Sequence, residues 1–146
     1  MQIVHLSEKD LMQILELDKL AFQNYDIRPL TKKEISTFLN NGFILGIKEN
    51  GKLISNIQVM TKNKNWFIEG VATLPEKQGR GLANNLINEV LKIAKEKKIR
   101  KINATVKPDN AKSRALFEKN GFAEVDFLKD YYGKGKDRIL VSTTLK

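Results

Sequence analysis

Apolar positions follow two spacings along this chain, and the places where one gives way to the other delimit its elements. Ile3, Val4 and Leu6 make a short extended run. Leu11, Ile14, Leu15, Leu17, Leu20 and Ala21 then fall at helical spacing, with Ser7 and Asp10 ahead of them in the pattern of a capping box. Phe22 to Leu30 links this helix to a second, predicted from Thr31, with Glu34 as capping partner, towards Asn40. Two apolar runs, Gly42 to Lys48 and Leu53 to Met60, flank Asn50-Gly51, whose tolerance of positive φ makes the pair a hairpin turn. A third run, Trp66 to Thr73, reads as a strand, and Leu82, Leu86, Ile87, Val90, Leu91 and Ala94 return to helical spacing. Lys101 to Val106 is a further strand. Pro108-Asp109-Asn110 starts a helix that Gly121 ends, and Phe122 to Leu128 and Arg138 to Leu145 are the last strands.

This order predicts an α/β fold, a mixed and mostly antiparallel sheet of about six or seven strands with helices on both faces. With 146 residues, 41% of them hydrophobic, residues 1–146 are expected to form one domain around one core. There is no cysteine, which excludes disulfides, thiolate metal sites and cysteine nucleophiles, and no metal is expected. No apolar run is long enough to span a bilayer and Met1 to His5 lacks the regions of a signal peptide, so a cytoplasmic location is expected.

The formal net charge of +9 raises the possibility of a nucleic-acid partner. The basic residues are scattered, however. Their densest cluster (Lys92, Lys95, Lys97, Lys98, Arg100, Lys101) falls where a helix has its solvated face and C-terminus. A solvated face is the preferred reading. The same charge would attract a phosphorylated cofactor or an acidic substrate.

The chemistry concentrates at one joint. Val71 to Ala83 runs from strand through a proline turn and Gln78-Gly79-Arg80-Gly81 into a helix. The first turn of a helix leaves N–H groups without partners at its electropositive end, and glycines let an anion approach the main chain. Arg80 and Lys77 add positive charge. Neither G-x-x-x-x-G-K-[ST] nor G-x-G-x-x-G is present, and an isolated glycine pair also reads as a plain tight turn. His5 is the only histidine and reads as a packing residue at a strand edge.

Gln78, Gly81 and Ala83 stand as Q-x-x-G-x-A directly after V-A-T-L-P-E, which resembles the acetyl-coenzyme A loop of the Gcn5-related N-acetyltransferase (GNAT) family. Asn110 to Phe122 resembles the family's second segment, N-x-x-[AS]-x-x-L-[YF]-x-K-x-G-F, at the expected distance behind the loop. The resemblance implies a GNAT-like fold and transfer of acetyl from acetyl-CoA to a primary amine in a ternary complex. It implies cofactor contacts at Val71, Ala72, Thr73, Gln78, Gly79, Arg80, Gly81, Leu82, Ala83, Asn110, Ser113 and Phe117. Arg114 reads either as a cofactor contact or as a surface ion-pair partner. The early helix pair and its loop would line the acceptor groove, which makes Tyr25, Asp26 and Arg28 candidate substrate contacts.

Glu69 is the first candidate base, two residues before Val71 on the cofactor strand; an exposed strand glutamate is the alternative. Many family members carry tyrosine where this chain has Phe117, and phenylalanine has no proton to give; either protonation of the thiolate is unassisted or another tyrosine serves. Leu-Phe-Glu followed by Asp130-Tyr131-Tyr132 also resembles the ribosomal-protein alanine N-acetyltransferases, in which residues at the positions of Glu118 and Tyr131 serve as base and acid. Two alternatives stand beside the main reading: a non-catalytic acyl-CoA-binding regulatory domain, and a ribosome- or tRNA-associated protein acetyltransferase. The expected partner is a small-molecule or protein amine, with neither a membrane nor a nucleic acid expected, and homodimers are common in such folds.

Overall fold

The computed structural model describes residues 2–145. Its strands are β1 (Ile3–His5), β2 (Gly42–Glu49), β3 (Lys52–Lys62), β4 (Asn65–Thr73), β5 (Lys101–Val106), β6 (Ala123–Leu128) and β7 (Arg138–Thr144). Its α-helices are α1 (Leu11–Ala21), α2 (Lys32–Asn40), α3 (Leu82–Glu96) and α4 (Ala111–Lys119). The strands form one sheet in the order β1-β2-β3-β4-β5-β7-β6, antiparallel at every pairing except β4–β5. The expected mixed, mostly antiparallel sheet is the one observed.

Local chemistry accounts for most of this. Asn50 (φ 53°) and Gly51 (φ 79°) turn the β2–β3 hairpin, and Glu49 faces Lys52 across it. Thr31 caps α2: its hydroxyl accepts from the Glu34 N–H (3.2 Å), and its own N–H donates to Glu34 Oε1 (2.9 Å). Consecutive residues Ile44 to Ile47 and Leu53 to Val59 are buried, as strands covered on both faces must be. Helix α3 turns Leu82, Leu86, Ile87, Val90 and Ala94 inward. The lysine cluster on its far side is exposed, as the solvated-face reading requires.

Two boundaries differ from the pattern's prediction. Ser7 N–H donates to Asp10 Oδ2 (2.9 Å), yet Glu8–Asp10 form a 3-10 turn and α1 begins at Leu11, with buried Asp10 held by Lys48 Nζ at 2.8 Å. Strand β6 starts at Ala123 because Phe122 is in the core, its ring 5.0 Å from that of Phe117.

The feature that positions the site is in β4. Its ladder with β5 covers only Asn65–Ile68 against Lys101–Ala104. On the other edge Gln58 pairs with Gly70 and Val59 with Ile68, so Glu69 is an extra, unpaired residue. This is a β-bulge, which bends a strand and re-aims its side chains. Glu69 and Val71, two apart on β4, both line the same cleft, with the bulge between Ile68 and Gly70 interrupting the regular ladder. Beyond Ile68 the two central strands part.

Candidate active site

The gap between β4 and β5 exposes strand N–H groups. Leu74 N–H donates back to Ile54 O of the β3 side at 2.9 Å. Alternation along a strand then turns the Ala72 N–H to β3 and those of Val71 and Thr73 away from it, into the gap. Ala72 is buried, and its carbonyl accepts from Ser55 Oγ (3.0 Å), which also hydrogen-bonds Thr73 Oγ1 (2.8 Å). The main chain here is fixed by side chains from β3.

The chain leaves β4 through the turn Pro75–Lys77 and enters α3 at Gly81. Gly79 has φ 83° and Gly81 φ 76°, a region costly for residues with a side chain. A Cβ at either position would meet nothing within 4 Å, so protein crowding does not demand glycine there. Left-handed backbone does, and the space above it is open. No side chain caps α3, whose first intrahelical bond is Asn85 N–H to Gly81 O (3.0 Å). The N–H groups of Leu82, Ala83 and Asn84 precede that bond and have no carbonyl of their own helix to pair with. This donor set suits the phosphates of coenzyme A. The two cations the loop adds share one carboxylate: Glu49 holds Lys77 Nζ at 2.6 Å and Arg80 at 3.1 Å, which leaves the group with one net positive charge.

A cleft of about 460 Å³ opens beside the strand gap. Val71, Asn110, Ser113 and Phe117, expected at the cofactor, line it together with Tyr25, Arg28 and Glu69. Asn110 does two things: Oδ1 accepts the Ser113 N–H (3.1 Å), capping α4, and Nδ2 donates to Tyr25 Oη (2.6 Å). Asp26 is outside the cleft lining, in a bidentate pair with Arg138 at 2.8 and 3.2 Å. Arg28 sits at the rim, paired with Glu34 at 2.7 Å. Arg114 forms the ion pair, with Glu124 at 2.8 Å. Glu118 is exposed on α4, and Tyr131, 46% exposed, packs on Tyr132 without reaching the cleft.

Glu69 and Tyr132 are two titratable groups of the cleft lining. Each opens to solvent on one side and is hemmed in by protein on the other. Burial on that second side raises the Glu69 carboxyl above the usual glutamate range, and the charge of Glu34 adds to it. Burial likewise pushes the Tyr132 hydroxyl up, with Tyr131 and Glu69 contributing, so it stays protonated at neutral pH. Asp18, at the cleft floor, is raised chiefly by burial, although its carboxylate accepts the Leu30 N–H at 2.9 Å.

Tyr132, Arg138, Lys107 and Gln58 line the cleft and were not among the residues the sequence singled out. Tyr132 stands in the motif Asp130-Tyr131-Tyr132, but both tyrosines lie in the turn between β6 and β7, where no strand alternation distinguishes them. Arg138 gives no local signal. Its guanidinium is buried, 4.7 Å from the Tyr132 ring, and its carboxylate partner is 112 positions away.

Comparison with known proteins agrees with this architecture. The model of the family described as "Acetyltransferase (GNAT) family" matches residues 9–122. The chain is 33% identical over 90 residues to the [ribosomal protein bS18]-alanine N-acetyltransferase of Haemophilus influenzae, covering 62% of this chain and 61% of that protein, under two thirds of its length. It is 28% identical over 149 residues to the N-alpha-acetyltransferase of Sulfurisphaera tokodaii, covering 93% and 88%. Among solved structures, the PaiA N-acetyltransferase of Thermoplasma acidophilum in complex with coenzyme A superposes with a TM-score of 0.78 at 21% identity, covering 99% of this chain and 100% of that one.

Proposed function

Because the chain belongs to the acetyltransferase (GNAT) family, we propose that its cleft moves acetyl from acetyl-CoA to a primary amine, by direct attack and without a covalent enzyme intermediate. The observation that carries this reading is the parting of β4 and β5 beside an uncapped helix N-terminus, with a crowded carboxylate at the same gap. When bound, acetyl-CoA supplies an activated acetyl carbon and a thiolate leaving group.

The chain's own groups do the rest. The N–H groups of Leu82, Ala83 and Asn84 take the phosphates, and those of Val71 and Thr73 hold the arm and polarise the carbonyl oxygen. Glu69 removes the proton that the amine must lose as its nitrogen bonds to the acetyl carbon and the carbon–sulfur bond breaks. Tyr132 is the group placed to return a proton to the departing sulfur, in place of Tyr131 and of the hydroxyl that Phe117 lacks. Asn110 and Ser113 position the cofactor side, and Phe117 supplies an apolar wall.

A protein N-terminal amine is the second reading, favoured by what the Haemophilus and Sulfurisphaera relatives are called. Both readings share the machinery and differ only in the acceptor. The test is thiol release from acetyl-CoA with a panel of amines and N-terminal peptides, on the wild type and on Glu69→Gln. Amine-dependent release that falls about 10²–10⁴-fold in the variant supports the reading. No release with any amine would overturn it.

A further inference from the structure

The charges facing the cleft do not all cancel within the protein. Arg28 is held by Glu34 at 2.7 Å and Arg138 by Asp26 at 2.8 Å. Lys136 faces the cleft and forms no ion pair among the described residues. Lys107 also faces it, and its one carboxylate among the described residues is Asp109, 3.9 Å away and 78% exposed. So loose and wet a pair compensates the Lys107 charge weakly, and Asp26, already held by Arg138, acts on it only at longer range. The Lys107 ammonium is instead 5.5 Å from the centroid of the Tyr25 ring.

The two lysines border the same corner. Lys107 follows β5 two residues after Thr105, whose side chain approaches the Tyr132 hydroxyl. Lys136 lies behind Tyr132, accepting its N–H at the main-chain oxygen (3.2 Å). Glu69 and Asp18 line the same cleft, Asp18 accepting the Leu30 N–H at 2.9 Å, and among the described residues neither forms an ion pair with Lys107 or Lys136. An acceptor that is nothing but an ammonium would meet two like charges beside the reaction point. An acceptor that also carries an anion would meet complementary ones.

We propose that the acceptor is an amine with an anionic group, a carboxylate or phosphate, close to the reacting nitrogen, seated with the anion between Lys107 and Lys136 and the amine at Glu69. This rests on the acetyl-transfer reading above and narrows its acceptor. The chemistry is common to a free amino acid and to a peptide N-terminus followed by an acidic residue. In either case Tyr25 and Tyr132 contribute flat apolar walls on both sides of the amine.

The test measures kcat/KM for matched acceptors with the full chain: L-glutamate and its amidated form for the free source, and pentapeptides beginning Ala-Glu, Ala-Gln and Ala-Lys for the peptide source. The expected result is that the acidic member of at least one set exceeds its neutral partner by about tenfold, with Ala-Lys lower still. In Lys107→Ala/Lys136→Ala that preference falls to about twofold or less through KM, while the rise in melting midpoint caused by acetyl-CoA is retained. Lys136→Glu should favour Ala-Lys. Neutral acceptors turned over as well as acidic ones would overturn the proposal, as would a preference that survives the double substitution. A melting shift lost in the double variant would do so too, by assigning the lysines to the cofactor. Failure of every amine to release thiol, with the melting shift intact, would instead sink acetyl transfer itself.

Discussion

The two sides of the cleft are built differently. The side proposed for the cofactor is made chiefly of main chain: strand N–H groups at Val71 and Thr73, two left-handed glycines and an uncapped helix start, all within fourteen consecutive residues, 71–84. The side proposed for the acceptor depends on side chains brought together from far apart: Tyr25 of the lining is held by Asn110, 85 positions on, and Arg138 of the lining by Asp26, 112 positions earlier and just outside it. A backbone site is set by conformation, so few sequences can encode it and those that do look similar. A side-chain site can be rewritten residue by residue without disturbing the sheet.

Substitutions on each side should therefore fail differently. The largest effect is expected at Glu69→Gln, which keeps the shape and removes the base: kcat should fall about 10²–10⁴-fold while acetyl-CoA affinity holds. Wild-type rate should rise with pH through the raised Glu69 value, because the ionised form is the active one, and the variant should lose that rise. Steady-state rates between pH 4 and 9 give both readings, where the pH limits are roughly those set by carboxylate and amine titration.

Next comes Gly81→Glu, which puts a charged side chain into the open space above the loop. The acetyl-CoA-dependent gain in stability, about 2.7 kcal/mol at a hundredfold excess over Kd in the wild type, should vanish. Gly81→Ala serves as the control: it carries the left-handed strain, about 1–2 kcal/mol, and keeps part of the shift. Differential scanning fluorimetry with and without ligand separates strain from binding.

On the acceptor side, Tyr132→Phe should lower kcat about tenfold, whereas Tyr131→Phe should leave it nearly unchanged. That pair of variants decides which of the adjacent tyrosines faces the chemistry. Arg138→Met leaves the partly buried Asp26 without its partner and frees the loop between α1 and α2. Because Asp26 keeps some solvent, the cost should be about 2 kcal/mol, below that of a fully buried pair, with acceptor KM raised more than cofactor Kd. Chemical denaturation and two-substrate kinetics measure the two parts.

The smallest effect concerns Asp18. Its native pKa is raised by burial above the ordinary value of 3.8, so the folded state binds its proton more tightly than the unfolded chain. The stability that this adds is complete below the unfolded value and lost as pH climbs through the native one. Asp18→Asn, which can still accept the Leu30 N–H, should flatten that decline.

The same contrast explains what could be read in advance. Every strand and helix was foreseeable within a residue or two, since each has its own period and its own turn chemistry, as at Asn50-Gly51 and Thr31 with Glu34. The cofactor loop was foreseeable because glycine at positions 79 and 81 has a local cause. The bulge at Glu69 was not: it arises from a register offset against β3, a relation between two strands that neither segment announces. The pairing of Lys77 and Arg80 with Glu49, some thirty positions earlier, was hidden for the same reason. So was the choice of Tyr132 over Tyr131, which depends on how the connection after β6 lies against β5.

The central claim is that the main chain of β4 and the start of α3 hold acetyl-CoA. A titration of the 15N-labelled protein with acetyl-CoA, following its amide resonances, tests this most directly. The account predicts that the amides of Val71, Thr73 and Gly79 to Asn84 move first and furthest, while those of β1 and β6 stay in place. Unmoved signals at Val71 and Thr73, with changes centred elsewhere, would contradict it.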